Sequence, residues 1–106
     1  NMANTFKNQI TEVSNSDIDV VTSGGQVVVV GLQIGNTTSS EIKATVKIHE
    51  SGQSAVTLVN QVPIPANSML SVLEGDKVVL ENGDKLQVAS DTASSATAVV
   101  SYLEIT

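Results

Sequence analysis

Apolar and polar residues alternate with a period of two along most of this chain. The clearest case is residues 41–49, EIKATVKIH, in which every second residue is apolar. Such alternation is typical of a strand that buries one face and exposes the other. No segment carries apolar residues at helical spacing over three turns, so the pattern predicts strands and no helix.

The segment 26–34, QVVVVGLQI, departs from this alternation because its first half is apolar on both sides. A run of this kind predicts a central strand that is covered on both faces. Gly31 inside the run predicts a bulge or a close approach of another backbone. Glycine pairs and polar residues on either side of the run predict turns.

Further short strands, separated by polar turns, are predicted at residues 6–13, 18–22, 55–62, 68–73, 77–80, 85–89 and 97–105. The two prolines of residues 63–67 are expected to take that segment out of the sheet. This arrangement predicts an all-β chain, a single antiparallel β-sandwich of about eight strands with jelly-roll or immunoglobulin-like topology. We expect residues 1–106 to form one domain, with residues 1–16 as an N-terminal arm or an edge strand.

A short sequence repeat marks two places where the chain is expected to turn. Residues 73–77, LEGDK, are followed by residues 80–85, LENGDK. Glycine permits positive φ, and aspartate can bond its own backbone two residues on. Both copies are therefore predicted to reverse the chain.

Charge and composition exclude several classes of partner. The net charge is −6, the chain has no arginine, and its aromatic residues are Phe6 and Tyr102. Binding to nucleic acid requires clustered cations and often aromatic stacking, so neither DNA nor RNA is expected as a partner. An anionic membrane is excluded on the same charge argument. The scarcity of aromatic rings also argues against a sugar-stacking face.

The residues needed for most catalytic chemistry are missing. Cysteine is absent, and His49 is the only histidine, on the polar side of its predicted strand. A nucleophile needs an oriented base, and no motif of the nucleophile-elbow, phosphate-loop or dinucleotide type accompanies it. We therefore predict a chain that is not an enzyme and that has no cofactor, with His49 as a solvated strand residue.

Acidic residues in the predicted turns raise the question of a metal ion. Asp76, Asp84 and Asp91 are weak calcium candidates, because oxygen ligands from several loops can gather at one end of a sandwich. A metal there with an open coordination position would revive an enzymatic function. The alternative is that these residues form turns and keep the surface charged.

Surplus apolar residues favour association. Val27, Val29, Val79 and Val99 fall out of phase with the inward residues of their predicted strands. Apolar side chains beyond the need of one core either lie under loops or form a patch through which proteins associate. These four valines are therefore the predicted interface, and a homo-oligomer is expected.

Three segments carry a family resemblance: residues 62–72 VPIPANSMLSV, 76–88 DKVVLENGDKLQV and 98–105 AVVSYLEI. With residues 28–40 upstream, this order resembles the small β-sandwich virion proteins of tailed bacteriophages, particularly marine and cyanobacterial phages. The resemblance covers residues 26–105 and transfers no functional residue. It implies a structural role in the virion, as a capsid decoration (cement) protein or a part of the neck or tail.

Further expectations follow from this resemblance. The partners would be the major capsid protein or other virion proteins, and a homotrimer is the favoured oligomer. The chain would be made in the host cytoplasm and located on the capsid surface. Two alternatives stay open: a neck, tail or fibre module that binds virion proteins or host-surface glycans, and a bacterial extracellular β-sandwich binding module.

Overall fold

The computed structural model describes residues 4–105, apart from the side chains of residues 74–76. Eight strands follow one another along them: β1 Asn4–Val13, β2 Ile18–Thr22, β3 Gln26–Asn36, β4 Ile42–His49, β5 Val56–Ile64, β6 Met69–Leu80, β7 Lys85–Ser90 and β8 Ala96–Ile105. The alternation that predicted β4 is confirmed, since Ile42, Ala44 and Val46 are buried in the core.

The strands form two antiparallel four-stranded sheets that pack as a sandwich. Sheet 1 has the order β1-β8-β3-β6, and sheet 2 has the order β2-β7-β4-β5. The chain crosses between the sheets at every connection except the one from β4 to β5. Eight strands wound alternately between two sheets are the jelly-roll arrangement, the first of the two topologies that the sequence predicts.

The core lies between the two sheets and is purely aliphatic at its centre. Its largest fully buried side chains come from both sheets: Leu32, Ile34, Ile42, Ile64, Leu80 and Leu86. Tyr102 lies at the margin of the core. The buried side chain of Asn36 closes one end, donating to the carbonyl oxygens of Ser40 at 2.8 Å and Ile64 at 3.0 Å. The outward sides of both sheets are left to meet solvent or a partner.

A bulge in β3 overturns part of the predicted interface. Val27 and Val29 are 2% and 0% exposed, and Leu32 and Ile34 are equally buried. The pairing of β3 with both neighbours shifts between Val29 and Gly31, which confirms the predicted bulge. One extra residue reverses which side of the sheet the following residues face. The prediction that Val27 and Val29 are out of phase was therefore wrong, because both belong to the core.

The first copy of the repeat does not turn the chain. The two strands predicted at residues 68–73 and 77–80 are one strand, β6, which pairs with β3 from Met69 to Leu80. Its register shifts where residues 75–77 pass Val30, so the extra residues form an irregularity within the strand. The second copy is a turn, in which Gly83 has a φ of 88° and the N–H of Asp84 donates to the carbonyl of Glu81.

Pro63 stays inside the sheet, contrary to the expectation for residues 63–67. It lies in β5 opposite Lys43, and β5 is the outermost strand of sheet 2. A proline is tolerated in an edge strand because the missing N–H can face away from the neighbouring strand.

Candidate interaction surface

The outer face of sheet 1 is set by the register of its four strands. In β8 the residues Ala96, Ala98, Val100 and Tyr102 are buried, so the residues between them face outward. The register then gives four cross-strand rows, each read from β1 through β8 and β3 to β6: Phe6, Leu103, Val28, Val79; Asn8, Ser101, Gly31, followed by a β6 residue whose side chain is not among those described; Ile10, Val99, Gln33, Ser71; and Glu12, Thr97, Gly35, Met69.

The first of these rows is apolar across the whole sheet. Phe6 is 78% exposed and Val79 is 52% exposed, while Leu103 and Val28 between them are half-buried. The third row begins with Ile10, which is 67% exposed, and continues with the half-buried Val99. The outer face of sheet 1 therefore presents one apolar row across the sheet and two further apolar side chains in the third row, separated from it by the polar row that begins with Asn8.

The four rows carry little charge, and the outer side of sheet 2 carries ion pairs. Among the described side chains of the four rows only Glu12 is charged, and the exposed Lys77 lies in β6 two residues before Val79. On the outer side of sheet 2, Lys47 pairs with Asp17 at 3.0 Å and Lys85 pairs with Asp19 at 3.5 Å. The two outer faces thus differ: ion pairs lie on the outer side of sheet 2, although its edge strand β5 also exposes Val56 and Leu58, whereas an apolar row crosses the whole of sheet 1.

Two of the four valines predicted for the interface lie on the outer face of sheet 1, namely Val79 and Val99. Sequence reasoning missed the most exposed members, Phe6 and Ile10. A signal for them was present, since Phe6 and Ile10 are four residues apart and share one side of a strand with polar Asn8 between them. That spacing does not by itself indicate an interface, because the pairing of β1 with β8 is a long-range feature of the fold.

The three calcium candidates do not form a site. Asp84 precedes β7 and Asp91 follows it, so the six-residue strand holds them on the order of 20 Å apart. The side chain of Asp76 lies outside the described residues. No group of three or more metal-ligating acidic, histidine or cysteine side chains occurs within the described part of the chain. The predicted gathering of these aspartates was therefore wrong for Asp84 and Asp91.

Both aspartates bond to backbone amides instead. The carboxylate of Asp84 accepts from the N–H groups of Ser51 at 3.0 Å and Glu81 at 2.9 Å, and so ties the β4–β5 loop to the β6–β7 turn. Asp91 accepts from the N–H of Lys43 at 3.0 Å, and this hydrogen bond lowers the pKa of its carboxyl group. Their chemistry is that of turns and loop closure, the alternative that the sequence left open.

His49 lies on the outer side of sheet 2, opposite Lys85. With Glu50, Ser51 and Gly83 it lines a shallow depression of about 200 Å³. No side-chain hydrogen bond joins it to a carboxylate or a hydroxyl group in residues 4–105. Its surroundings are those of a partly solvated strand residue.

No helix among the described residues is long and apolar enough to cross a membrane.

Comparison with known proteins identifies the fold and no family. No family model matches the sequence, and no curated protein matches it. Among solved structures, a subunit from the study "Bacillus endospore appendages form a novel family of disulfide-linked pili" superposes with a TM-score of 0.57 at 10% identity. The match covers 96% of this chain and 84% of that chain.

Two structures of a pentameric capsid protein from metagenomic phage sequences superpose with a TM-score of 0.49 at 19% identity. They match 92% of this chain, which spans 61% and 59% of theirs. At such identities a structural likeness concerns the fold alone. The chain is thus a jelly-roll β-sandwich that shares its fold with a subunit of Bacillus endospore pili.

Proposed function

We propose that this chain is a non-enzymatic structural protein of a bacteriophage virion that decorates the capsid and stabilises the shell by bridging capsid subunits. The observation that carries the proposal is the outer face of sheet 1, with Phe6, Leu103, Val28 and Val79 in one row. A large apolar surface of this kind on a small soluble domain is typical of a binding site for another protein.

Two further observations support this function. Three segments of the sequence resemble small virion proteins of tailed phages, and a protein of the same fold builds the Bacillus endospore appendages. The opposite face of the sandwich is charged and ion-paired, as suits a surface that stays in solvent. A decoration protein needs both: one face for the shell and one for the outside.

Many copies on a lattice make weak individual contacts sufficient. A copy that bridges two subunits gains from the high effective concentration of the second site once the first is occupied. The trimer expected from the sequence stays a prediction, and the geometry of the strand edges described below favours two copies.

Binding to shells of the major capsid protein encoded in the same genome tests the proposal. Val79→Lys places a charge in the apolar row. We expect half-saturation of the shells, measured by co-sedimentation, to need a protein concentration about tenfold higher than for the wild type. Thr57→Lys is the matched control, because Thr57 is an exposed strand residue of sheet 2. Equal binding of both variants would contradict the proposed surface.

The same experiment separates the alternatives. A chain that binds isolated tails and not shells would be a neck or tail module. A chain that binds neither but gives hits on a glycan array would be a host-surface binding module. Either result would contradict a role in capsid decoration.

A further inference from the structure

The sandwich has four outermost strands, and three of them carry features that hinder pairing with another strand. β2 is short, at five residues, and its register is broken between Asp19 and Val21. β5 contains Pro63 and two register shifts, and β6 contains two register shifts of its own. Short length, proline and bulges are the means by which natural proteins protect the edges of their sheets.

β1 carries none of these features. It is ten residues long, from Asn4 to Val13, and pairs with β8 in a register that never shifts. Residues 4–10 are all exposed, and Phe6 and Ile10 are the two most exposed large apolar side chains of the described chain. Its single cation is Lys7, whose Nζ forms an ion pair with Oε1 of Glu104 at 2.8 Å. This hydrogen bond raises the pKa of Lys7.

We propose that β1 pairs with β1 of a second copy of this chain, antiparallel and about a two-fold axis at Asn8, to form one continuous eight-stranded sheet. The inference goes beyond the capsid role and does not depend on it. The free backbone groups along the outer edge of β1 supply the hydrogen bonds of the new ladder. The occupant is a second copy because the strand is complementary to itself.

The complementarity is seen in the register. With Asn8 on the axis, residues 4–12 of one copy pair with residues 12–4 of the other. Phe6 then lies opposite Ile10 of the second copy, and Ile10 lies opposite its Phe6. Aromatic and β-branched side chains directly opposite each other are a favourable cross-strand pair.

Charges also permit this register. Lys7 faces the uncharged Gln9 of the second copy, and Glu12 faces its uncharged Asn4. An axis at Phe6 or Ile10 would shorten the ladder and leave one of the two apolar residues without the other. An axis at Gln9 would set Phe6 against the carboxylate of Glu12.

Pairing would also extend the apolar surface. The row of Val79, Val28, Leu103 and Phe6 in one copy would continue into Ile10 and Val99 of the second. Both outer faces of sheet 1 would lie on the same side of the joined sheet, because residues directly opposite in an antiparallel pair point to the same side.

Sedimentation equilibrium of charge variants at low salt tests the axis. Asn8→Lys and Asn8→Asp each place two like charges opposite one another, so we expect each to weaken the dimer by about two- to fivefold. An equimolar mixture places Lys opposite Asp and is expected to regain at least the wild-type affinity. Thr57→Lys and Thr57→Asp, which carry the same charges on sheet 2, are expected to change nothing.

The average mass of the wild-type chain in sedimentation equilibrium is the first test of the dimer. We expect the average mass to rise from one chain toward two chains as the protein concentration approaches about 1 mM, the dissociation constant expected for a weak contact. A single chain or a trimer at that concentration would overturn the proposal. So would a dimer that ignores charge at Asn8, or one that responds equally to charge at Thr57. Shell binding that persists in a monomer would leave the proposed capsid role standing.

Discussion

At the scale of single residues, the contact between two loops depends on one backbone conformation. Gly83 has a φ of 88°, and a Cβ atom at this position would lie 3.0 Å from the side chain of Ser51. The neighbouring Asp84 accepts from the N–H of Ser51, so the turn and the loop are fastened at the same place. Glycine is therefore required here both for its positive φ and for its small size.

Gly83→Ala should lower the free energy of unfolding by about 1–3 kcal/mol, because it adds steric overlap to an unfavourable φ. Gly52→Ala is the matched control: Gly52 has a φ of 78° but no atom within 4 Å of its added Cβ. Urea denaturation measures both. A larger loss in Gly52→Ala than in Gly83→Ala would show that the contact with Ser51 does not constrain the turn.

Single residues also show where sequence reasoning fails. Asp84 and Asp91 have the carboxylate side chains that calcium prefers, yet each accepts a hydrogen bond from a backbone N–H of a distant segment. The sequence contains no information on which amide each carboxylate meets, because that depends on how the strands are placed. The sequence alone does not distinguish an aspartate in a turn from one that binds a metal. The distinction appears only when β7 is seen to hold Asp84 and Asp91 apart.

At the scale of the strand, period-two alternation predicts most elements correctly. The predicted bounds of β2 are reproduced, and β4, β7 and β8 begin and end within one residue of expectation. The pattern succeeds there because each strand buries one side against the other sheet, which is the condition that alternation reports. It fails in β3 and β6, where bulges interrupt the alternation.

β3 shows why such a failure misplaces an interface. Counting back from Leu32 and Ile34 in strict alternation puts Val28 in the core and Val29 outside. The bulge at Gly31 reverses this order. Gly31 itself predicts a bulge. The sequence does not show, however, that the alternation of inward and outward residues along β3 reverses at this position.

The reversed phase can be tested with two adjacent substitutions in β3. Val29→Lys should lower the free energy of unfolding by more than about 4 kcal/mol, because it buries a charge without a partner. Val28→Lys should cost about 1 kcal/mol, since the lysine stem can lie along the outer face of sheet 1. Thermal or urea unfolding measures both. The opposite order would restore the alternation read directly from the sequence.

At the scale of the whole molecule, the two outer faces of the sandwich differ in their distribution of charge. Lys47 and Lys85 of sheet 2 form ion pairs with Asp17 and Asp19, while Glu12 is the one charged residue among the described side chains in the four rows of sheet 1. A net charge of −6 opposes the approach of like chains at long range, and few of the described charged side chains lie in the four rows of sheet 1. The proposed association through sheet 1 would therefore bring few of the described charges together.

Composition favours a function that depends on surfaces, but it does not locate the surface. The sequence has no arginine and no cysteine, and only two aromatic residues, which is why the sequence predicts association in place of catalysis. The location of the surface depends on Phe6 and Val79 meeting in one row, although they are distant in sequence. Only the order of strands in sheet 1 brings them together.

Hydroxyl-radical footprinting of the chain, free and bound to its assembly, tests most directly whether sheet 1 is the surface of association. Phe6 and Met69 report on the outer face of sheet 1, and His49 reports on that of sheet 2. We predict that labelling of Phe6 and Met69 falls on binding while that of His49 stays the same. Protection of His49, with Phe6 and Met69 labelled as in the free chain, would contradict the account.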